Sequence, residues 1–318
     1  MQIRPISLAD LDSLSTTSVF NSNEWINIYE NNLELVGIHN ANEELIGCFY
    51  LYKRKRAKIL TQISPPPYTP HCGLFYQNFA NNPAKKHGEN KKITKAICDY
   101  LMENYNSAII TLAFPPYLQD IHSFYWNDYR VIPNYTYQLK LENTIEKISG
   151  GMDPKTRNLI KKAIKDGLSV EQNKDMGLVK SIVMQTMDRK GVGVDQRILD
   201  NILSKFANES NSFSFVVKQN EEVLAVTFCI YDTDKCYYLL GGYNKGKSHA
   251  GAGPLGVLES IKFAKEKGIS IFDFEGSMIP NVESYFRSFG GEIIPYSTIN
   301  KAPYLIESIL KYKMKQQF

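Results

Sequence analysis

Two stretches of this chain read alike: SFYWNDYRVIPNYT at 123–136 and SYFRSFGGEIIPYST at 284–298. Each is an aromatic helical stub, a turn, and a short apolar strand carrying Ile-Pro and a Tyr. Upstream of each lies the same series of elements: two or three strands, a longer helix and one more strand. A repeat over roughly 130–150 residues is too long for a solenoid and points to a duplicated domain. The duplication predicts two mixed α/β units facing a central cleft, and clefts between domains are common ligand sites.

The 318 residues suffice for one large core or two ordinary ones. With 43% apolar and 22% charged residues the chain is expected to be globular rather than disordered. A net charge of +4 argues against a wholesale nucleic-acid or membrane surface, so any phosphate recognition must come from local clusters. The cysteines (Cys48, Cys72, Cys98, Cys229 and Cys236) form no CxxC pair, which predicts reduced thiols in a cytoplasmic protein. The opening residues have no signal-peptide pattern and no apolar run is long enough to span a membrane, so no membrane insertion is expected. The histidines show no ligand spacing, and no metal site is expected.

In the first half, LELVGI (33–38), ELIGCFYLY (44–52) and AKILTQI (57–63) read as strands, the first two joined by a polar hairpin turn. The proline-rich 64–73 reads as a loop, and the lysine-rich 81–90 as a mobile surface loop. Helical spacing runs from Lys91 to about Asn104, and SAIITLAF (107–114) follows as a buried strand. In the second half, Asp153 as N-cap, Pro154 at the first position and Gly167 as stop predict a helix over DPKTRNLIKKAIKDG. Helical segments at 176–189 and 195–207 precede three hairpin-linked strands between residues 212 and 243. A helix from Pro254 to Gly268 then leads to the strand ISIFDFEG. The strand–helix–strand from Tyr237 to Phe274 predicts a parallel, right-handed crossover.

Three constellations could carry chemistry. The first is the loop GGYNKGKSHAGAGP before that last long helix, where Gly251, Ala252 and Gly253 would let backbone N–H groups approach a pyrophosphate at a helix N-terminus. Lys245 and Lys247 add positive charge, and His249 is the one histidine nearby. The alternative is a flexible glycine-rich turn. The second is a basic stripe, Arg157, Lys161 and Lys165, four residues apart, which suits a phosphorylated ligand or is simply a solvated helix face.

The third lies in ISIFDFEGSMIPNVESYFRSFGGEIIPY. Asp273 and Glu275 alternate with Phe272 and Phe274, which predicts both carboxylates on one side of the strand. A carboxylate at the end of a buried strand, followed by Gly276 and Ser277, is placed as a general base. Arg287, on a helix whose Val282, Tyr285, Phe286 and Phe289 must pack inward, would pair with Glu275 or Asp273 or bind substrate. A structural ion pair is the alternative. Among the many aromatics, Tyr243 stands just past a strand and before the loop. No nucleophile elbow and no GxxxxGK[ST] loop is present.

DPKTRNLIKKAIKDGLSV resembles the motif that opens the second domain of the FemABX peptidoglycan-bridge aminoacyltransferases, relatives of the GCN5-related N-acyltransferases. Asp273 to Gly276, the aromatic helix that ends at Phe289-Gly290 and the apolar strand after it resemble the same family's C-terminal signature. NSNEWINIYE, with Trp25, is similar to its N-terminal helix. The resemblance implies two tandem acyltransferase-like domains, at 1–145 and 146–300, with a helix at 301–318 packing back on the first. It implies transfer of an acyl or aminoacyl group, from acyl-CoA or aminoacyl-tRNA, to an amine of a phosphorylated or cell-wall-precursor-like acceptor.

By position, Arg157 and Lys161, with Arg287, would hold anionic acceptor groups. Gly251, Ala252, Gly253 and Lys247 would hold the CoA pyrophosphate, although Ser248 stands where the family pattern has Arg or Gln. Glu275 would be the base, with Asp273 beside it and Tyr243 or a sheet N–H as oxyanion donor. The alternative is a catalytically silent binding module that kept the duplicated fold.

Overall fold

The computed structural model describes all residues except 16, 17, 30, 31, 57–59, 191, 192, 194, 245, 277 and 314–318. In chain order the first elements are β1 (Gln2–Pro5), α1 (Asn23–Asn27), β2 (Leu33–His39), β3 (Leu45–Arg56), β4 (Leu60–Ser64), β5 (Phe75–Tyr76), α2 (Pro83–Tyr105), β6 (Ile109–Ala113), α3 (His122–Trp126) and β7 (Arg130–Lys140). Then come α4 (Ile145–Gly151), α5 (Pro154–Lys165), β8 (Ser169–Asn173), α6 (Met176–Lys190), α7 (Gln196–Asn201), β9 (Ser212–Gln219), β10 (Glu222–Tyr231) and β11 (Lys235–Tyr243). The chain closes with α8 (Ala252–Glu266), β12 (Ile271–Asp273), α9 (Pro280–Arg287), β13 (Glu292–Lys301) and α10 (Tyr304–Lys313).

These elements form two compact units that are not consecutive stretches of chain. One comprises residues 1–16, 29–134 and 295–318, the other residues 17–28 and 135–294. In the first unit the strand order is β1–β2–β3–β4–β6–β13, with β5 on β3. β4 and β6 run parallel through Ile63↔Ile110, and the other pairs are antiparallel. Phe49, Leu51, Ile63, Ile110 and Leu112 pack with Ile93, Ile97 and Leu101 of α2 and Phe124 of α3. Leu310 of α10 packs with Ile109 and Ala302.

The expected loop at 81–90 is instead the first turns of α2. Asn82 caps it by accepting the Lys85 N–H at 2.9 Å, and Pro83 occupies the first helical position. The turns after that cap are exposed, so they carry no apolar periodicity that would mark them as helix in the sequence.

The second unit orders its strands β7–β12–β11–β10–β9–β8. The predicted crossover is present: β11 and β12 are parallel and joined by α8, while the remaining pairs are antiparallel. Asp153 caps α5 by accepting the Lys155 N–H at 2.8 Å, and Gly167 ends it at φ +79°. Leu255, Leu258 and Ile261 of α8 pack with Phe215 and Val217 of β9, Phe272 of β12 and Phe286 of α9. α6 approaches β11 so closely that a Cβ on Gly242 would fall 2.8 Å from the Ile182 carbonyl oxygen.

Residues 18–28 complete this unit from the far end of the sequence. Trp25 is fully buried, edge-on to Phe206 at 4.9 Å and to Phe20 at 5.3 Å, and Phe20 meets Tyr237 at 4.7 Å. Val19 N–H donates to Asp232 Oδ2 at 3.0 Å, and Asn201 Nδ2 donates to the Ile28 carbonyl at 3.1 Å. Trp25→Ala should therefore destabilise the second unit by about 3–5 kcal/mol, read as a lower urea midpoint with the slope retained.

Candidate active site

The register between β11 and β12 creates the site. Lys235 pairs with Ile271, Cys236 with Phe272 and Tyr237 with Asp273, and there the pairing stops. β11 runs on to Tyr243, still paired with β10 but no longer with the chain leaving β12, and this unpaired stretch forms a wedge in the sheet ladder. A bulge at Leu239, where Tyr238 faces Cys229 and Leu240 faces Phe228, bends β11 at the mouth of that wedge.

At the wedge sit the two carboxylates, in environments the sequence pattern did not anticipate. Asp273 is 5% exposed and its oxygens accept three hydrogen bonds: Thr136 Oγ1 at 2.6 Å, Gln138 Nε2 at 2.6 Å and the Glu275 N–H at 2.8 Å. Burial nonetheless pushes its carboxyl above the ordinary range, against the effect of those donors. Strand alternation does not reach Glu275. The strand ends at Asp273, and Glu275 and Gly276 both adopt left-handed backbone, with φ of +57° and +72°. Gly276 is obligatory, because a Cβ there would lie 2.0 Å from the Tyr135 carbonyl oxygen.

Glu275 Oε1 is enclosed and has no hydrogen-bond partner among the described residues. Burial first, then the Asp273 charge, lifts this carboxyl well above its usual range. A non-glycine residue in the left-handed region, with an unsatisfied acid oxygen, is the kind of strain that collects at functional sites. Tyr237 pairs with Asp273 across the sheet, and its hydroxyl shares a hydrogen bond with Ser18. Burial, Asp232, Asp273 and Glu275 all push its hydroxyl upward, so it stays protonated.

The other predicted residues fall elsewhere. Tyr243 packs over Gly253, where a Cβ would meet its hydroxyl at 1.8 Å, and it shares a hydrogen bond with Tyr285. With Tyr238, Phe274, Phe286 and Phe289 it belongs to an aromatic cluster on the core side of the wedge. Arg287 pairs with Glu283 on its own helix at 3.0 Å, not with Glu275 or Asp273, and Glu283 also accepts the Tyr137 hydroxyl at 2.5 Å. Lys247 pairs with Glu222. Lys245 and Ser277 lie outside the described residues.

Arg157 donates from Nη1 to the Gly150 carbonyl at 2.7 Å, and no acidic partner pairs with Lys161 among the described residues. Thr156 Oγ1 donates to Ser288 Oγ at 2.9 Å, and the Asp153 N–H donates to the Ser288 carbonyl at 2.9 Å. The first turn of α5 thus meets the last turn of α9, with Arg157 and Arg287 each one residue from the contact.

The glycine-rich turn is packed from inside. A Cβ on Gly251 would lie 2.2 Å from the Leu159 carbonyl oxygen on α5. The Gly251 N–H donates to His249 Nδ1 at 3.0 Å, His249 Nε2 meets Asp166 Oδ2 at 3.1 Å, and the Ala252 N–H donates to the His249 carbonyl. Residues 251 to 258 are all buried. The small residues here allow close packing against α5 and the Tyr243 ring, and the Gly251 and Ala252 N–H groups bond within the turn. Among the described residues no cluster of three or more His, Cys, Asp or Glu could hold a metal, and no helix is long and apolar enough to cross a membrane.

Sequence reasoning missed Tyr237, Thr136 and Gln138, none of which lies in a motif. Only the Asp-Phe-Glu-Gly run at a strand end marked the spot.

Residues 156–287 match the family model described as an acetyltransferase (GNAT) domain. Over the whole chain the fold is FemABX-like. It matches the crystal structure of FemX over 99% of this chain and 100% of that one, with 13% identity and a TM-score of 0.64. A second match is the C-terminal domain of a putative lysylphosphatidylglycerol synthetase from Agrobacterium fabrum, covering 96% and 98% at 9% identity and TM-score 0.60. L-PGS from Bacillus licheniformis matches over 91% and 90%, at 11% identity and TM-score 0.56. Comparison with the curated proteins gave no match.

The raised Glu275 carboxyl has a signed consequence for stability. Its folded form holds a proton at pH values where the unfolded chain has released it. Stability therefore falls as pH rises from about 4.3, the ordinary glutamate value, to the raised folded value. Glu275→Gln removes that loss. Its thermal midpoint should match the parent protein below about pH 4 and exceed it increasingly as the pH rises towards the raised folded value. A constant difference across that range would contradict the placement of the carboxyl.

Proposed function

We propose that the protein is an N-acyltransferase that moves an aminoacyl or acyl group to an amine of a phosphorylated or cell-wall-precursor-like acceptor. The observation that carries this is Glu275, whose enclosed Oε1 has no hydrogen-bond partner among the described residues and whose strained backbone stands where the pairing of β11 and β12 ends. The acetyltransferase match over residues 156–287 and the FemX-like fold support the reaction class.

In this reading the amine nitrogen attacks the carbonyl carbon of the donor ester. The C–N bond forms, the C–O bond breaks, and the nitrogen's proton passes to the Glu275 carboxylate. The departing alcohol oxygen takes up a proton, and the Glu275 carboxyl that has just received one can return it, which restores the base. The tetrahedral oxyanion needs donors, and N–H groups on the β11 edge beyond Tyr237, which have no β12 partner, are of the right kind. Tyr243, committed to Tyr285, is less suited to that task. No covalent enzyme intermediate is required.

The closed turn at Gly251–Gly253 favours an aminoacyl ester carried by tRNA over acyl-CoA as donor. A structural neighbour named lysylphosphatidylglycerol synthetase is consistent with an aminoacyl group. Arg157 and Lys161, with Arg287 released from an exposed ion pair of little strength, would hold anionic groups of the acceptor.

Calorimetric titration with acetyl-CoA should give no heat, while charged tRNA should transfer label to an amine-bearing phosphorylated acceptor. Glu275→Gln should lower that transfer by at least about 100-fold. Micromolar acetyl-CoA binding with acetyl transfer would sink the choice of donor, and no transfer from either donor would sink the enzyme. Arg157→Ala should raise the acceptor KM about tenfold with kcat kept; an unchanged KM would remove Arg157 from the site.

A further inference from the structure

Asp273 and Glu275 look in sequence like a pair of equivalent acids, but their surroundings separate them. Every oxygen of Asp273 is engaged: Oδ1 by Thr136 and the Glu275 N–H, Oδ2 by Gln138. A carboxylate so bound, 5% exposed, has three of about four acceptor positions filled from within the protein. One of its donors is the backbone of the residue that does have an uncommitted carboxyl oxygen. That residue and the next are left-handed, a conformation costing about 1–3 kcal/mol for a non-glycine residue unless its surroundings impose it. Thr136 and Gln138 stand on β7, and Asp273 pairs with Gln138 in the sheet, so the acceptor itself is anchored on a rigid strand.

We propose that Asp273 is the positioning residue of the site: by accepting the Glu275 N–H it imposes the left-handed turn and so fixes where the Glu275 carboxyl stands. This rests on Glu275 being the base. The groups facing Glu275 are Asp273 on β12, Cys229 on β10 and Tyr237 on β11, with Lys235 near Asp273. Of these, Asp273 is the anion that acts on Glu275, so its charge as well as its hydrogen bond reaches the base.

Asp273→Asn keeps an oxygen that can accept the N–H and removes the charge. In a titration of the glutamate carboxyls followed by carbon-13 NMR, with Glu275 assigned by its loss in Glu275→Gln, the Asn variant should lower the Glu275 midpoint by about one pH unit. The pH profile of kcat should move with it, at little change in KM. In the unaltered protein the Glu275 amide should exchange with solvent at least about 100-fold slower than an unstructured amide. Thr136→Val, which strips one donor from the same Oδ1, should retain that protection.

An unmoved Glu275 midpoint in Asp273→Asn, or a fast-exchanging Glu275 amide in the unaltered protein, overturns the proposal. The exchange measurement decides even if the Asn variant does not fold. Absence of any acyl transfer by the unaltered protein defeats the proposed reaction alone, since titration and exchange need no substrate.

Discussion

One buried carboxylate, Asp273, joins three separate parts of the second unit. It ties the end of β12 to β7 through Thr136 and Gln138, and it ties both to the turn that follows through the Glu275 N–H. A buried charge is tolerated when its lone pairs are satisfied, and it is costly to strip of partners. The turn at Glu275 and Gly276 therefore cannot relax to ordinary extended backbone without leaving that charge short of a donor. The strain at Glu275 and the satisfaction of Asp273 are two sides of one arrangement, and the wedge between β11 and β12 begins where it acts.

Away from that point the unit is closed by packing. α5 lies against Gly251, the Tyr243 ring against Gly253, and Tyr238, Phe274, Phe286 and Phe289 fill the core side of the wedge. Small residues before a helix suit either a ligand's phosphate or a neighbour's side chain, and here the neighbours already occupy the space. The glycine pattern at 251–253 is thus accounted for by packing, whereas the left-handed backbone at Glu275 and Gly276 is tied to a hydrogen bond on Asp273.

Much of the fold was legible because it is locally encoded. Asp153, Pro154 and Gly167 delimit α5 in sequence as they do in space, and the alternation of strand, helix and strand around α8 announced a parallel crossover. The first turns of α2 were not legible, since an exposed helical segment buries no apolar stripe. Arg287 and Lys247 stand out in the sequence by their charge, and only the structure shows the acid that each pairs with, Glu283 and Glu222. Glu275 stands out in the sequence as a carboxylate at a strand end. Its geometry was out of reach, because the residues that set it, Thr136 and Gln138, lie 137 and 135 positions from Asp273.

The sequence interleaving of the two units bears on how the chain is made. During synthesis Trp25 leaves the ribosome long before Phe206 and Tyr237, the rings that bury it and its neighbour Phe20, have been translated. The first unit waits as well, since its strand β13 and helix α10 follow the long middle stretch of the second unit. Neither unit can therefore finish folding before the other has been largely translated, and both carry long-range contacts that form slowly. An early stop or a cut between the halves would not free one intact domain but leave two cores each missing a piece, with an indole and a sheet edge exposed to whatever holds unfinished chains in solution.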